Sequence, residues 1–293
     1  MEYQGIQVLL HLRLGIILSL LAGISYCKHP PSFFFEVSRS RKYITEAYFQ
    51  KHDILIDRVF QDFISNEFSH GFCRKQNFMP KLLVIQQQLI GEGSHRHLTL
   101  SIKIEIQLEV LSKFPSHSCE AILVERLPSG VFADPFELEH LTRRGVFTDA
   151  SAFGDTDLEL PTVRANRSAV EVHMDLSRNM LSGNGWEFNI ELPLHARYAP
   201  LGKHGYTRVE FVSPDVFVQC IVEGNSHNQR CIFSSTNDGV ISNSTATVWE
   251  VPSGIVKHTK LVAVLTFISA VVGTLPIFMA CVFCSENSYY KQS

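Results

Sequence analysis

Three groups of residues in this 293-residue chain have the types and spacing for chemistry. Asp155-Thr-Asp157 matches the short acidic dyad with which many glycosyltransferases hold a metal and a sugar nucleotide. His95 and His97, among thirteen histidines, stand two apart, which on a strand puts both on one face and suits metal ligation. Asp134, Glu137 and Glu139, inside LPSGVFADPFELEHL (127–141), have the makings of a general acid–base pair.

Each group also has a plainer explanation. The acidic dyad is short and common by chance, and the folds that use it contain an α/β nucleotide-binding half. No alternation of helices and strands is visible here. No third ligand follows His95 and His97 at close spacing, and no HExxH or paired CxxC motif precedes the final apolar segment, within which Cys281 and Cys284 form a lone CxxC. Asp134 precedes Pro135 and follows a Ser129-Gly130 turn, so its carboxylate suits the N-cap of a short helix, FELEHL. Pro135 at the first helical position and Glu137 in the first turn support that reading. Folding thus accounts for the carboxylates and leaves Val131, Phe132 and Phe136 as an apolar patch around a turn. With no GxSxG, P-loop or GxGxxG context, nucleophilic and nucleotide chemistry have no visible carrier. The expectation is a non-enzymatic chain with no catalytic residues, no cofactor and no metal.

The elements that must position these residues are mainly strands. LTLSIKIEIQLEV (98–110) alternates apolar and polar residues at period two, a half-buried strand. KLLVIQQQLI (81–90) precedes it across the turn GEGSHRH, which predicts a hairpin. Further strands are expected at 119–127, 169–176, 186–198, 208–212, 216–222 and 245–251, separated by turn signals such as SGNG, PLGKHG and STNDG. ELPLHARY (191–198) reads as a strand broken at Pro193, with Arg197 paired to a carboxylate of the domain or of a partner. The pattern predicts a mainly β chain, an antiparallel sandwich-like domain over 73–256. Residues 26–72 form an N-terminal extension whose apolar spacing suggests one or two short helices.

The ends set the compartment. Val8–Ile24 holds Arg13 and a short apolar core followed by small residues, which reads as a signal peptide over 1–25. Leu261–Cys284 is uncharged and long enough to span a bilayer as a helix, followed by a polar cytosolic tail, 285–293. The trailing polar residues argue against a removable GPI-attachment signal. Lys257 and Lys260 before the span, against Lys291 after it, favour the opposite orientation. The signal peptide outweighs them, giving a type I protein with its bulk in the lumen. Asn166 and Asn243 head N-glycosylation sequons. Cys73, Cys119, Cys220 and Cys231 are disulfide candidates, and the short Cys220–Cys231 separation makes that pair the first expectation. A net charge of −3 offers no basic surface for nucleic acid. Within the span, Ser269 and Gly273 form a small-xxx-small pair suited to close helix contact.

LPSGVFADPFEL (127–138) resembles the PIG-X family of endoplasmic-reticulum membrane proteins. SPDVFVQC (213–220), ELPLHARY (191–198) and VPSGIVKHTKLVAVLT (251–266) agree with that family in order, over roughly 73–284. The resemblance implies the non-catalytic subunit of glycosylphosphatidylinositol (GPI) mannosyltransferase I, which stabilises a multi-span catalytic partner, PIG-M. That partner transfers the first mannose from dolichol-phosphate-mannose to the glucosaminyl-phosphatidylinositol intermediate. Val131, Phe132, Phe136, Arg197, Ser269 and Gly273 are then candidate partner contacts. Two other readings stay open: a lumenal lectin-like or cargo-binding receptor, and an enzyme using Asp155 and Asp157.

Overall fold

The structure, a computed structural model, describes residues 43–67, 80–105, 119–176, 180–181, 185–222, 229–234 and 247–289. The expected signal peptide, Cys73, Asn243 and the expected continuation of the 98–110 strand beyond Glu105 lie outside these residues. Two short helices, α1 (Ile44–Phe49) and α2 (Asp57–Asp62), open the described chain, and a π-helical turn, Phe63–Glu67, continues α2. Strands β1 (Lys81–Ile90), β2 (His95–Glu105), β3 (Cys119–Arg126) and β4 (Val131–Phe132) precede helix α3 (Pro135–Arg143). Then come β5 (Asp149–Gly154), β6 (Ser168–Asp175), β7 (Met180–Leu181), β8 (Gly185–Ala196), β9 (Tyr206–Glu210), β10 (Asp215–Val222), β11 (Gln229–Ser234) and β12 (Val248–Pro252). A 3₁₀ turn, Val256–His258, leads into α4, Thr259–Tyr289.

The strands form two five-stranded antiparallel sheets and a small pair. Sheet I runs β1-β2-β8-β4 with β7 also on β8; sheet II runs β11-β10-β3-β6-β5; β9 pairs with β12. The expected alternation of β2 is observed: Leu98, Leu100, Ile102 and Ile104 are fully buried, between residues that are only partly so. They share one core with Ile190 and Leu192 of β8, Leu123 of β3, Val172 of β6 and Val218 of β10. Inward faces of both sheets therefore meet in a sandwich, each large apolar side chain contributing about 1.5–3 kcal/mol by leaving water. At Gly185 a Cβ would lie 2.1 Å from the Ile104 carbonyl oxygen, so the start of β8 approaches β2 more closely than any side chain allows.

Pro193 does not break its strand. β8 is continuous, with Pro193 opposite His97. The Ala196 amide donates toward β2, to the Ser94 carbonyl, and the Arg197 amide donates the other way, to Gly130. Period two then turns the Pro193 nitrogen away from β2, to the side where β4 has already ended at Phe132. A residue without an N–H costs the ladder nothing there.

Sheet II is buried on both faces. Ile122 and Val124 of β3, Ala169 of β6 and Phe217 of β10 point away from the sandwich and pack against Ile44, Tyr48, Leu55, Phe60, Phe63 and Ile64. The two predicted short helices thus form a third layer. Polar groups fix their position. The Glu171 carboxylate, buried in β6, accepts from the Ile44 and Thr45 amides at 3.1 and 2.7 Å, satisfying the start of α1, which has no side-chain cap of its own. His173 lies 3.0 Å from Glu171 and 3.6 Å from Glu120. Burial alone would lower the His173 pKa, but Glu120 and Glu171 together outweigh it and raise it to about 9. At α2, Asp57 binds Arg126 at 2.5 Å and Arg167 at 2.8 Å, and Arg126 also binds Asp215 of β10 at 2.8 Å. Burial pushes the Asp57 carboxyl up, yet the two guanidiniums hold it below its ordinary value.

The disulfide joins Cys119 to Cys220 rather than Cys220 to Cys231. Cys220 stands opposite both cysteines, on β3 and on β11. Its Cα lies 4.1 Å from that of Cys119, the narrow pair of an antiparallel ladder, whose backbone groups point away from each other. The same residue must then make the wide, hydrogen-bonded pair with Cys231, where a bridge fits poorly. Nearness in sequence misled because strand register decides the partner.

Two outcomes follow from these contacts. Peptide mapping under non-reducing conditions should recover a Cys119–Cys220 linked fragment; a Cys220–Cys231 fragment would contradict the register. His173, with a folded pKa of about 9 against 6.5 ordinarily, adds stability that is complete below about pH 6.5 and lost as the pH rises through about 9. Thermal unfolding should therefore show an alkaline loss of stability that His173→Gln removes.

Candidate functional site

The stretch 127–141 folds as its sequence suggests. Gly130 takes a φ of +87° in the turn before β4, a conformation costly for any other residue. The Asp134 carboxylate then accepts the Phe136 amide at 2.8 Å, capping α3, with Pro135 in its first turn. Glu139 pairs with Arg143 one turn on, at 2.5 Å. The expected apolar patch, however, is divided. Val131 and Phe132 form β4 and are buried, whereas Phe136 is 72% exposed. Neither Val131 nor Phe132 is an exposed surface for a partner. Val131 joins the core, and Phe132, on the opposite face of the strand, is covered by the Arg197 guanidinium and the His195 ring.

Arg197 is likewise spent inside the domain, where it is 3% exposed. Its guanidinium donates to the carbonyl oxygens of Asp157, Leu160 and Asp155, the latter two at 3.1 Å. It also stacks on the Phe132 ring at 4.6 Å. Burial presses its pKa down, and the nearby Asp155 and Asp157 carboxylates oppose that shift. The acidic dyad belongs to the same arrangement. Asp155 accepts the Asp157 and Asn166 amides through its two oxygens, at 3.2 and 2.9 Å, and Asp157 accepts the Glu159 amide at 3.0 Å. These carboxylates shape a loop around Arg197. Asn166 is exposed at the end of that loop.

The stack extends outward from Phe132. His195 lies parallel to Phe132 at 5.3 Å, His95 stacks on His195 at 4.4 Å, and His97 meets His95 edge-on at 5.3 Å. Register explains this: His95 of β2 stands directly opposite His195 of β8. Glu137 of α3 reaches both rings, 2.9 Å from Nε2 of His195 and 3.8 Å from Nε2 of His95. Glu191 takes His97 at 2.8 Å. A groove of about 520 Å³ runs between α3 and this face of sheet I, lined by Phe136, Glu137, His140, His97, Glu191 and Pro193 among others. His95, His195 and Glu137 are a group able to hold a metal ion, their ligand atoms within 4.8 Å of one another. The sequence pairs His95 with His97 on one face and offers Glu137 only as an acid–base candidate; it does not bring Glu137 or His195, both distant in the chain, to His95. Both lie in stretches that carry the family resemblance, and that was the available signal.

In the apolar helix, Ser269 donates its hydroxyl to the Leu265 carbonyl at 2.8 Å, and a Cβ at Gly273 would meet open space. The segment Val256–Val282 is long and apolar enough to cross a membrane and is not buried in the domain.

Removing the Arg197 guanidinium should leave buried carbonyls without donors and free the 155–160 loop. Arg197→Met should cost roughly 3 kcal/mol, in the range for breaking a buried polar pair, measured by denaturant unfolding. Arg197→Lys should restore little of it, since a single ammonium cannot span three carbonyls and stack on a ring.

Comparison with known proteins places these features. A family model described as PIG-X / PBN1 matches residues 91–282. The chain is similar to the "GPI alpha-1,4-mannosyltransferase I, stabilizing subunit" of Mus musculus, 25% identical over 245 residues, covering 77% of this chain and 91% of the relative. The protein of the same name from Homo sapiens is 23% identical over 216 residues, 68% of this chain and 79% of the relative. "Protein pbn1" of Emericella nidulans is 30% identical over 137 residues, 45% of this chain and 26% of that longer relative. The matched region holds both main sheets apart from β1, the capped helix, the stack around Arg197 and most of the apolar helix, and the chain belongs to the PIG-X / PBN1 family.

Proposed function

We propose that this chain is the non-catalytic, stabilising subunit of a GPI mannosyltransferase I complex in the endoplasmic-reticulum membrane. Its partner is a multi-span catalytic subunit of the PIG-M type, which adds the first mannose from dolichol-phosphate-mannose to glucosaminyl-phosphatidylinositol. The observation that carries this reading is the match to relatives named as stabilizing subunits over most of both chains. The fate of the acidic dyad supports it: Asp155 and Asp157 hold backbone amides and frame a buried arginine. In this reading the chain is a type I protein with its sandwich in the lumen, Asn166 and Asn243 as glycan acceptors, and the last residues in the cytosol.

Contact with the partner then falls to two surfaces. Phe136 stands exposed at the groove beside the capped helix start, an apolar side chain whose burial against a partner would contribute about 1.5–3 kcal/mol. Ser269 and Gly273 permit close approach of a neighbouring helix in the bilayer, with the serine hydroxyl already satisfied within its own helix.

Cells lacking the chain test the proposal. The catalytic mannosyltransferase and surface GPI-anchored proteins should fall several-fold and recover on re-expression of the wild-type chain. Phe136→Asp and Gly273→Leu should restore less, while reaching wild-type levels themselves. Unchanged mannosyltransferase in the absence of the chain would refute the stabiliser role.

A further inference from the structure

We propose that His95, His195 and Glu137 form a zinc site that ties helix α3 to the end of sheet I. The ligands come from three elements, β2, β8 and α3. Zinc bonds of about 2.0–2.1 Å in a tetrahedron require ligand atoms roughly 3.3 Å apart. One Glu137 oxygen lies 2.9 Å from Nε2 of His195 and the other 3.8 Å from Nε2 of His95. With one ligand atom taken from each residue, all three lie within 4.8 Å of one another. Seating the ion would draw these atoms together by at most about 1.5 Å, from 4.8 Å to the tetrahedral edge.

The donor chemistry narrows the metal. Two imidazoles and one carboxylate suit first-row transition ions such as zinc or iron(II), whereas calcium and magnesium seek oxygen ligands throughout. Zinc needs no redox partner and takes that tetrahedral geometry. The ring of His195 is held between Phe132 and His95, so one ligand is set by packing before any ion arrives. Glu137 is set by the Asp134-capped start of α3. Three protein ligands leave a fourth position for water, as in zinc sites that stay open. His97, occupied by Glu191, stands outside the ligand set.

The test uses the full-length chain in detergent, stripped with a chelator and titrated with zinc chloride by calorimetry. One equivalent should bind. His95→Asn and His195→Asn should each lower the affinity by more than about tenfold, since losing a ligand costs at least as much as losing its supporting shell. His204→Asn, in a turn away from the cluster, should bind as wild type does. A wild-type chain that takes up no zinc, or cluster variants that bind as tightly as wild type, would overturn the proposal. Cobalt in the wild-type chain gives a reading that does not depend on the variants folding. Visible absorption of a four- or five-coordinate ion supports the site, and the weak spectrum of a six-coordinate hydrated ion overturns it.

Discussion

The guanidinium of Arg197 is the constraint around which this domain is organised. A buried cation costs several kcal/mol unless its donors are met, so the chain must bring acceptors to it. The 155–160 loop supplies them as main-chain carbonyls, and the two aspartates of that loop fold it into the required shape. Gly130 accepts the Arg197 amide, which brings the turn before β4 alongside. Phe132 lies flat against the guanidinium and carries His195 and then His95 on its other face. The capped start of α3 follows two residues later, so the groove with Phe136 at its rim is placed by a charge that never reaches it.

How much of this was legible depended on which faces were buried. β2 announced itself because one side of it meets solvent and the other the core, and Leu98–Ile104 alternate accordingly. β3 carries apolar residues in succession, Ala121–Val124, because helices cover its outer face, and on β6 the buried Glu171 and His173 interrupt the apolar run. Strand was evident there, but the third layer was not. β4 is two residues long and β5 is built from small residues, Asp-Ala-Ser-Ala-Phe-Gly, so neither shows a period. The capped helix start was readable from Asp134 and Pro135, because capping is local chemistry. The disulfide partner and the His95–His195–Glu137 group were not, because both depend on cross-strand register. Arg197 could be seen to need a carboxylate, and Asp155 stands 3.8 Å from it, yet nothing local says that main-chain carbonyls would take its hydrogen bonds.

Sheet II is fastened at both ends of one strand pair. Cys119–Cys220 joins β3 to β10 where they start and finish, and Arg126–Asp215 joins them at the opposite end. Asp57 extends the second fastening to α2, and Glu171 extends the sheet's hold to α1. Removing one partner of the Arg126–Asp215 pair would strand a largely buried charge, so the pair holds the two strands to this register. A subunit whose contribution is shape and not turnover gains from such fastening, because a surface that keeps its form loses little entropy on docking.

The connection between the sandwich and the apolar helix is short and tied down. Pro252 ends β12 and Thr259 begins α4. Between them, Ser253 donates to Gly205, Val256 donates to Gly202, and Gly254 accepts from Gly202. The connector is thus stitched to the 202–205 turn of the domain. A stalk of free chain would let a domain swing and search at a distance from the membrane. This connector is held by three backbone bonds. With the apolar helix across a bilayer, a domain so held would reach only what protrudes from the membrane right beside it.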